Sequence, residues 1–439
     1  MPFHSRFVTF LALFLAVALP PHAARAQDSP LDDARRLEVI EKTLEHVLAN
    51  YVFPDRAAQV EKVLRKNAKS GAYAKDATMD AFLDHLNRDL QAAGNDRHLK
   101  VNDNARVVAE QKAAKAGGVA PEYLQLLQEN NFRLRRVESL DGNIGYFKFD
   151  NFVELEFVKD PFVGAMSFLH HSSALMLDLT ENGGGSAETA DFLVGYFLPE
   201  GTRIGETWKR TTNETAVVTV TRAPEVKPLL DTPLVILVGE RTGSAAEAVA
   251  YTLQQATRAV VVGSRTRGMA NAGLLFPLDD RLYVMVPTNH HKNVVSGTNW
   301  EGVGVVPDVA VAPERTFAAG MVAALTAAAE RKADAKERFR LRFLAQEYAA
   351  VVSPESPPAG FLEACAGDYD EGRKIVLHDG SLRFQAGETD RRLTYMANRA
   401  FMVDGRKDYR IRFEMKDGRV AGFRVLWFDD TEDRYARAR

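Results

Sequence analysis

Residues 241–254 read RTGSAAEAVAYTLQ, which sets a small hydroxyl-bearing residue, Ser244, between a turn and an alanine-rich run, with Glu247 three positions on. Ser-x-x-Glu ahead of an apolar run is the pattern of a capping box, in which hydroxyl and carboxylate satisfy free backbone N–H groups at a helix start. The residues before it widen what the serine can do. PLVILV is an apolar run of strand type and GERTG a short turn, so Ser244 is expected at the C-terminal end of a buried strand and the N-terminus of a helix. A hydroxyl there can attack a carbonyl, and the helix N-terminus with the Ala245 N–H can stabilise the oxyanion that develops. Glu247 is then the capping partner and a support behind the nucleophile.

Three further stretches carry compatible chemistry. In LMLDLTENGGGSAETA a buried strand runs into Asn182 and three glycines. Backbone without side chains can approach a substrate carbonyl, so Gly184 or Gly185 is a candidate second oxyanion donor, the plain alternative being a turn with no ligand. Neither Lys-Ser/Thr nor Gly-x-Gly-x-x-Gly spacing follows, which excludes a phosphate loop. LQAAGNDRHLKV places His98 in a loop past a helix that Gly94 ends, and SGTNWEGVGVVPDV places Glu301 in a loop between strands. A solvated histidine and a surface carboxylate are the ordinary readings of those two. The adjacent pairs His170–His171 and His290–His291 would point to opposite faces of a strand, and His-Glu-x-x-His and Cys-x-x-Cys are missing, so no catalytic metal and no cofactor are expected.

These residues need elements to hold them. Residues 1–26 have a basic start, an apolar run FVTFLALFLAVAL and small residues before Gln27, the composition of a cleavable signal peptide cut after Ala26. The expected compartment is the periplasm or the exterior, with no integral membrane segment in the mature chain. One cysteine, Cys365, rules out an internal disulfide. A formal charge of -3 over the whole chain gives no nucleic-acid signature. Helical periodicity over 27–100 predicts a helical domain, and the polar, alanine-rich stretch 101–141 a connecting arm. Over 142–315, short apolar runs such as SALMLDLT and AVVVGS alternate with helical segments, predicting an α/β core with a largely parallel sheet. A helical connector over 316–352 and a small antiparallel β domain over 353–439, with Asp-Gly turns between period-two runs, complete the chain.

The four motifs DRHLKV, DLTENGGGSAE, TGSAAEAVAYTLQ and TNWEGVGVVPDV, in that order, resemble serine peptidases of family S41, in the tricorn-type branch that includes interphotoreceptor retinoid-binding protein. The resemblance runs from the N-terminal helices to about Val311. It implies a core of the ClpP/crotonase type, with Ser244 as nucleophile, His98 as general base and Glu301 as the group orienting or supporting it. In the carboxy-terminal processing branch a lysine 25 positions after the nucleophile is the base; Met269 stands there in this chain. The tricorn-type arrangement can link the glutamate to the histidine through another polar side chain, and GNDRH offers Asp96 and Asn95 for it. Between Lys100 and Gly142 the chain is too short, and too poor in strand signal, for the PDZ domain that many processing proteases carry.

The expected function is an exported serine peptidase that cleaves peptides or unfolded protein segments through an acyl-enzyme on Ser244, losing activity as pH falls through the histidine range near about 6.5. The alternative is a non-proteolytic binding protein for apolar ligands or peptides on the same fold. An acyl-CoA enzyme of the crotonase type shares the strand–helix repetition, and the signal peptide argues against it.

Overall fold

The computed structural model describes residues 31–115 and 121–438; the segment 1–26, expected to be a signal peptide, lies outside them. A six-stranded sheet forms the centre, in the order Val309–Ala310, Val260–Gly263, Leu234–Val238, Ala174–Asp178, Ile144–Phe149, Leu134–Leu140. Its pairs are parallel except the last, where Leu134–Leu140 runs antiparallel against Ile144–Phe149. Every residue of Ala174–Asp178 and Leu234–Val238 is buried, as their continuous apolar sequence requires when both faces are covered. Helices Leu155–Phe168, Ala187–Val194 and Ala245–Gln255 cover one face. Thr316–Glu330 and Ala335–Val352 cover the other.

Two parts of the expected plan change. The stretch 316–352, expected to be a connector, is a layer of the core: Met321, Ala324, Leu325 and Ala328 pack on Met176, Val235 and Leu237. Its small residues permit this, since a Cβ at Gly320 would stand 2.4 Å from Leu237 Cδ2. The arm 101–141 is also structural. Its last part is the edge strand Leu134–Leu140, and Lys100–Asp103 pairs with Leu282–Pro287. Such edge strands bury little, Leu134–Leu140 having no buried residue and Lys100–Asp103 only Val101, so their sequence lacks the apolar run of a core strand.

Helices Asp33–Asn50, Pro54–Lys69 and Met79–Gly94 form the N-terminal layer, each started by the chemistry its sequence offers. Asp32 and Thr78 cap the first and third through Arg35 N–H and Ala81 N–H, and Pro54 opens the second. Their apolar faces close over Leu278, Leu282, Val284 and Val286 of the hairpin Gly273–Pro277/Leu282–Pro287, so helices and hairpin share one core. A second antiparallel sheet, Asn289–Asn293 with Arg203–Lys209 and Glu214–Thr219, stands beside the central one.

The C-terminal strands, Gly367–Tyr369 to Glu432–Ala436, pair in strict sequence order as an eight-stranded antiparallel sheet. Tyr369 also bridges to Arg437, and Ala438 N–H bonds Asp368 O at 2.9 Å, which closes the sheet into a barrel and removes its edges. Phe384, Phe401, Phe413 and Phe423 fill its interior. Buried Arg410 ties it to the helix Ala335–Val352, stacking 3.6 Å over Phe343 and bonding Gln346 and the Phe343 carbonyl.

Candidate active site

Ser244 follows the strand Leu234–Val238 and the turn 239–243, and begins the helix Ala245–Gln255. Its backbone is at φ 51°, ψ −120°, a conformation that costs a non-glycine residue about 1–3 kcal/mol and persists only where surroundings impose it. Those surroundings are identifiable. Thr242 donates its hydroxyl to Leu179 O at 2.7 Å and accepts the Gly239 N–H at 2.9 Å, while Gly243 N–H bonds Asn182 O at 3.0 Å. Glu247, fully buried, accepts the Ser244 N–H at 2.8 Å, forming the carboxylate half of the capping box. Its oxygens also take the Thr266 hydroxyl at 2.5 Å and the N–H groups of Gly268 and Met269 at 2.6 and 2.9 Å. Burial pushes the Glu247 carboxyl up, and the four donors oppose the shift. One carboxylate thus fixes both the nucleophile candidate and the loop 266–269, a role that the Ser-x-x-Glu spacing shows only in part.

The glycine loop is seated against the same turn. A Cβ at Gly184 would lie 2.7 Å from Ser244 Cβ, 2.8 Å from Gly243 O and 3.0 Å from Ala245 N, and its φ is +106°. At Gly185, φ +133°, a Cβ would lie 2.2 Å from Phe152 O. The two glycines differ as donors. Gly184 N–H is committed to the Asn182 side-chain oxygen at 2.9 Å, which removes it from the candidate oxyanion pair, whereas among the described residues no hydrogen bond engages Gly185 N–H or Ala245 N–H. Asn182, buried and anchored by its own Nδ2 to Phe149 O at 3.0 Å, sets that choice. Gly184→Ala is expected to cut kcat/KM by about 10²-fold or more, because its methyl occupies the ground beside Ala245 N–H. Steady-state kinetics checked by circular dichroism tests this, and a variant with wild-type kinetics would move the oxyanion site elsewhere.

His98 comes from the other side of the cleft. The helix Met79–Gly94 ends in Asn95, which takes the left-handed conformation at φ 47°. This turns the chain so that Asp96 and His98 point inward while Asn95 stays exposed. His98 is 1% exposed, and desolvation lowers it to about 4. Ring nitrogen and carboxylate oxygens of His98, Asp96 and Glu301 lie within 4.8 Å of one another, so the structure brings the three together. Glu301 is held by backbone N–H groups: Ala270 at 2.6 Å, Asn271 at 3.0 Å and Arg97 at 3.4 Å. Asp96 accepts the His98 N–H at 3.0 Å and the Asn271 amide at 2.9 Å, with the Tyr51 hydroxyl at 3.3 Å. Burial, together with repulsion from Glu301, pushes Asp96 up to about 7. Glu301 is likewise raised by burial, its backbone donors opposing. This nitrogen and two carboxylates are the group that would suit a cation. Protein donors already engage both acids.

Asn271 and Tyr51 have no counterpart in the motif reading. Asn271, fully buried, bonds Asp96 and Glu301 and meets His290 Nδ1 through its side-chain oxygen at 3.0 Å. Its segment, RTRGMANAG, draws notice in sequence only for Met269 at the position of the absent lysine. Met269 itself is held by its backbone, its N–H on Glu247 and its carbonyl accepting Trp300 Nε1 at 3.1 Å.

Ser244, Ala245, Gly185 and His98 line one cavity of about 760 Å³. Helix Ala187–Val194 and the sheet of Arg203–Lys209, Glu214–Thr219 and Asn289–Asn293 contribute its walls, through Ala190, Val194, Ile204, Val218 and His291. Hydroxyl, imidazole and two unengaged N–H groups around one cavity, with an acid pair beside the imidazole, can together perform acyl transfer.

The chloroplastic carboxyl-terminal-processing peptidase 1 of Arabidopsis thaliana is 29% identical over 223 residues, covering 46% of this chain and 41% of that one. The carboxy-terminal-processing protease of Bartonella bacilliformis is 27% identical over 179 residues, 39% of each chain. The chain thus spans about two-fifths of these relatives. The solved photosystem II D1 C-terminal processing protease aligns at TM-score 0.42 and 17% identity, over 67% of this chain and 98% of that one. Residues 143–311 match the model of peptidase family S41 and residues 33–137 that of the N-terminal domain of Peptidase_S41 in eukaryotic IRBP; the two take in more than half of the chain, which belongs to peptidase family S41.

Proposed function

We propose that this protein is a serine peptidase acting on peptides or unfolded protein segments, with Ser244 as nucleophile and His98 as general base. The observation that carries the reading is the strained Ser244 at a strand–turn–helix junction, since a cap alone needs no left-handed serine. In the first half-reaction Ser244 Oγ bonds to the scissile carbonyl carbon while its proton passes to His98. The carbonyl oxygen takes the charge and is held by Ala245 N–H and Gly185 N–H. The C–N bond then breaks, the leaving amine takes the proton from His98, and an acyl-enzyme remains. Water repeats the sequence to release the acid and restore Ser244.

Glu301 faces the imidazole with its charge fixed by three backbone donors, and so supports the imidazolium formed in each half. Asp96 is held near it by Asn271 and keeps a proton into the neutral range, which spares the site a second buried charge. The composition of residues 1–26 supports export of the enzyme, and no helix among the described residues is long and apolar enough to cross a membrane.

The pH profile tests the base. The imidazole must be neutral to accept a proton, and burial moves its ionisation down to about 4. The limb expected at about 6.5 from a solvated histidine therefore shifts: kcat/KM is expected to hold from neutrality to about pH 5 and to fall as pH drops through about 4. An acid limb at 6.5 or above that persists in Asp96→Asn, on a protein shown folded by circular dichroism, contradicts a desolvated His98 as base, because Asp96, raised to about 7, is the other group of the cluster that titrates there.

A further inference from the structure

The helix Ala187–Val194 begins directly after the glycine loop and turns one face to the cavity. Ala187, Glu188, Ala190, Asp191 and Val194 all line it, the spacing of a single helical face. Asp191 stands five residues beyond Ser186, about 7.5 Å along a helix rising 1.5 Å per residue. It is open to solvent by surface yet walled in by protein, as a side chain on the wall of a deep concavity is. Desolvation and the neighbouring Glu188 push its carboxyl up to about 6, and among the described residues no cation or hydrogen-bond donor meets that carboxylate.

The charges around it do not cancel. Glu154, Glu156 and Glu188 line the same cavity, against Lys159 alone and the imidazoles of His98 and His291. Lys159 is committed to Glu225 at 2.5 Å, and Glu154 accepts the Tyr123 hydroxyl at 2.7 Å. The remaining wall is largely apolar, supplied by residues such as Ala248, Leu274, Met285 and Trp300. A lysine or arginine side chain fits this combination, because its methylene stem covers apolar surface while its charged end meets a carboxylate. A neutral side chain seated against Asp191 would cover the carboxylate without pairing it.

We propose that Asp191 makes the cavity selective for substrates with a basic side chain on the residue that supplies the scissile carbonyl. This rests on the peptidase reading of Ser244. Asp191 lines the same cavity as Gly185 and Ala245, and the helical rise of about 7.5 Å that separates it from Ser186 is comparable to the length of an extended lysine or arginine side chain.

The test uses matched peptide coumarylamides differing only at that residue, with lysine, arginine, norleucine or leucine, on the mature protein, on Ser244→Ala, and on Asp191→Asn and Asp191→Glu. The expected result is at least tenfold higher kcat/KM for lysine and arginine than for norleucine. That ratio should collapse toward one in Asp191→Asn and be largely kept in Asp191→Glu. Circular dichroism and fluorophosphonate labelling report the fold and nucleophile of each variant separately. Ser244-dependent cleavage that ignores charge, or a basic preference unchanged in Asp191→Asn, overturns the proposal and leaves the peptidase reading standing. Absence of Ser244-dependent cleavage with all four peptides overturns the peptidase reading and this proposal with it.

Discussion

Ser244→Ala is expected to lower kcat on any cleaved peptide by roughly 10⁴- to 10⁶-fold, the range seen when a nucleophile is removed from an assembled serine site. Its stability should change little, a lost cap being worth about 0.5–2 kcal/mol. Ser244→Gly separates the nucleophile from the cap more sharply. Glycine adopts φ 51° without the Cβ penalty, so Ser244→Gly should be equally inactive yet about 1 kcal/mol more stable than Ser244→Ala. Peptide turnover and urea denaturation of the two variants measure both quantities. Equal stabilities would mean that the conformation of Ser244 is not strained. Retained turnover would mean that it is not the nucleophile.

Glu247→Ala should give the largest loss of stability of any single change near the site. It strands four donors, the N–H groups of Ser244, Gly268 and Met269 and the Thr266 hydroxyl, and empties a fully buried volume. Each unsatisfied buried donor costs about 1–3 kcal/mol, and partial relaxation brings the expected total to about 4 kcal/mol or more. Activity should fall with it, since the same contacts hold Ser244 against the loop that carries Asn271. Urea unfolding midpoints compared with Glu247→Gln check this. The amide keeps the volume and one acceptor oxygen, so it should lose less. Equal stability of Glu247→Ala and wild type would contradict the role assigned to the carboxylate.

The parts of this site legible in the sequence are those written locally. PLVILV, GERTG and the alanine-rich run specify strand, turn and helix within twenty residues, and Ser244 falls at their junction. Gly94 and Asn95 announce the helix end that releases His98. What stayed hidden depends on contacts between distant residues. Asn271 matters through Asp96, 175 positions away, and nothing in RTRGMANAG signals that pairing. The competition for Gly184 N–H is local, two residues apart, but a backbone donor's partner has no sequence signature. The depressed ionisation of His98 follows from its burial in the folded chain, which a histidine in a polar loop does not suggest. Among larger elements, alternation announced the C-terminal strands. Their closure through Tyr369 and Arg437 joins the two ends of the domain and leaves no periodic trace. The cavity wall of Arg203–Lys209 and Glu214–Thr219 is a surface hairpin, half-exposed and charged, and its sequence carries little of the apolar contrast that marks a core strand.

In the proposed reaction Ser244 is an activated nucleophile and His98 the group that activates it. Intact-mass spectrometry of the mature protein after exposure to a fluorophosphonate tests this directly, with Ser244→Ala and His98→Ala alongside. A single adduct on the wild type, absent from Ser244→Ala and strongly slowed in His98→Ala, is the predicted result. An adduct that persists in Ser244→Ala, or a folded wild type that acquires none, would contradict it.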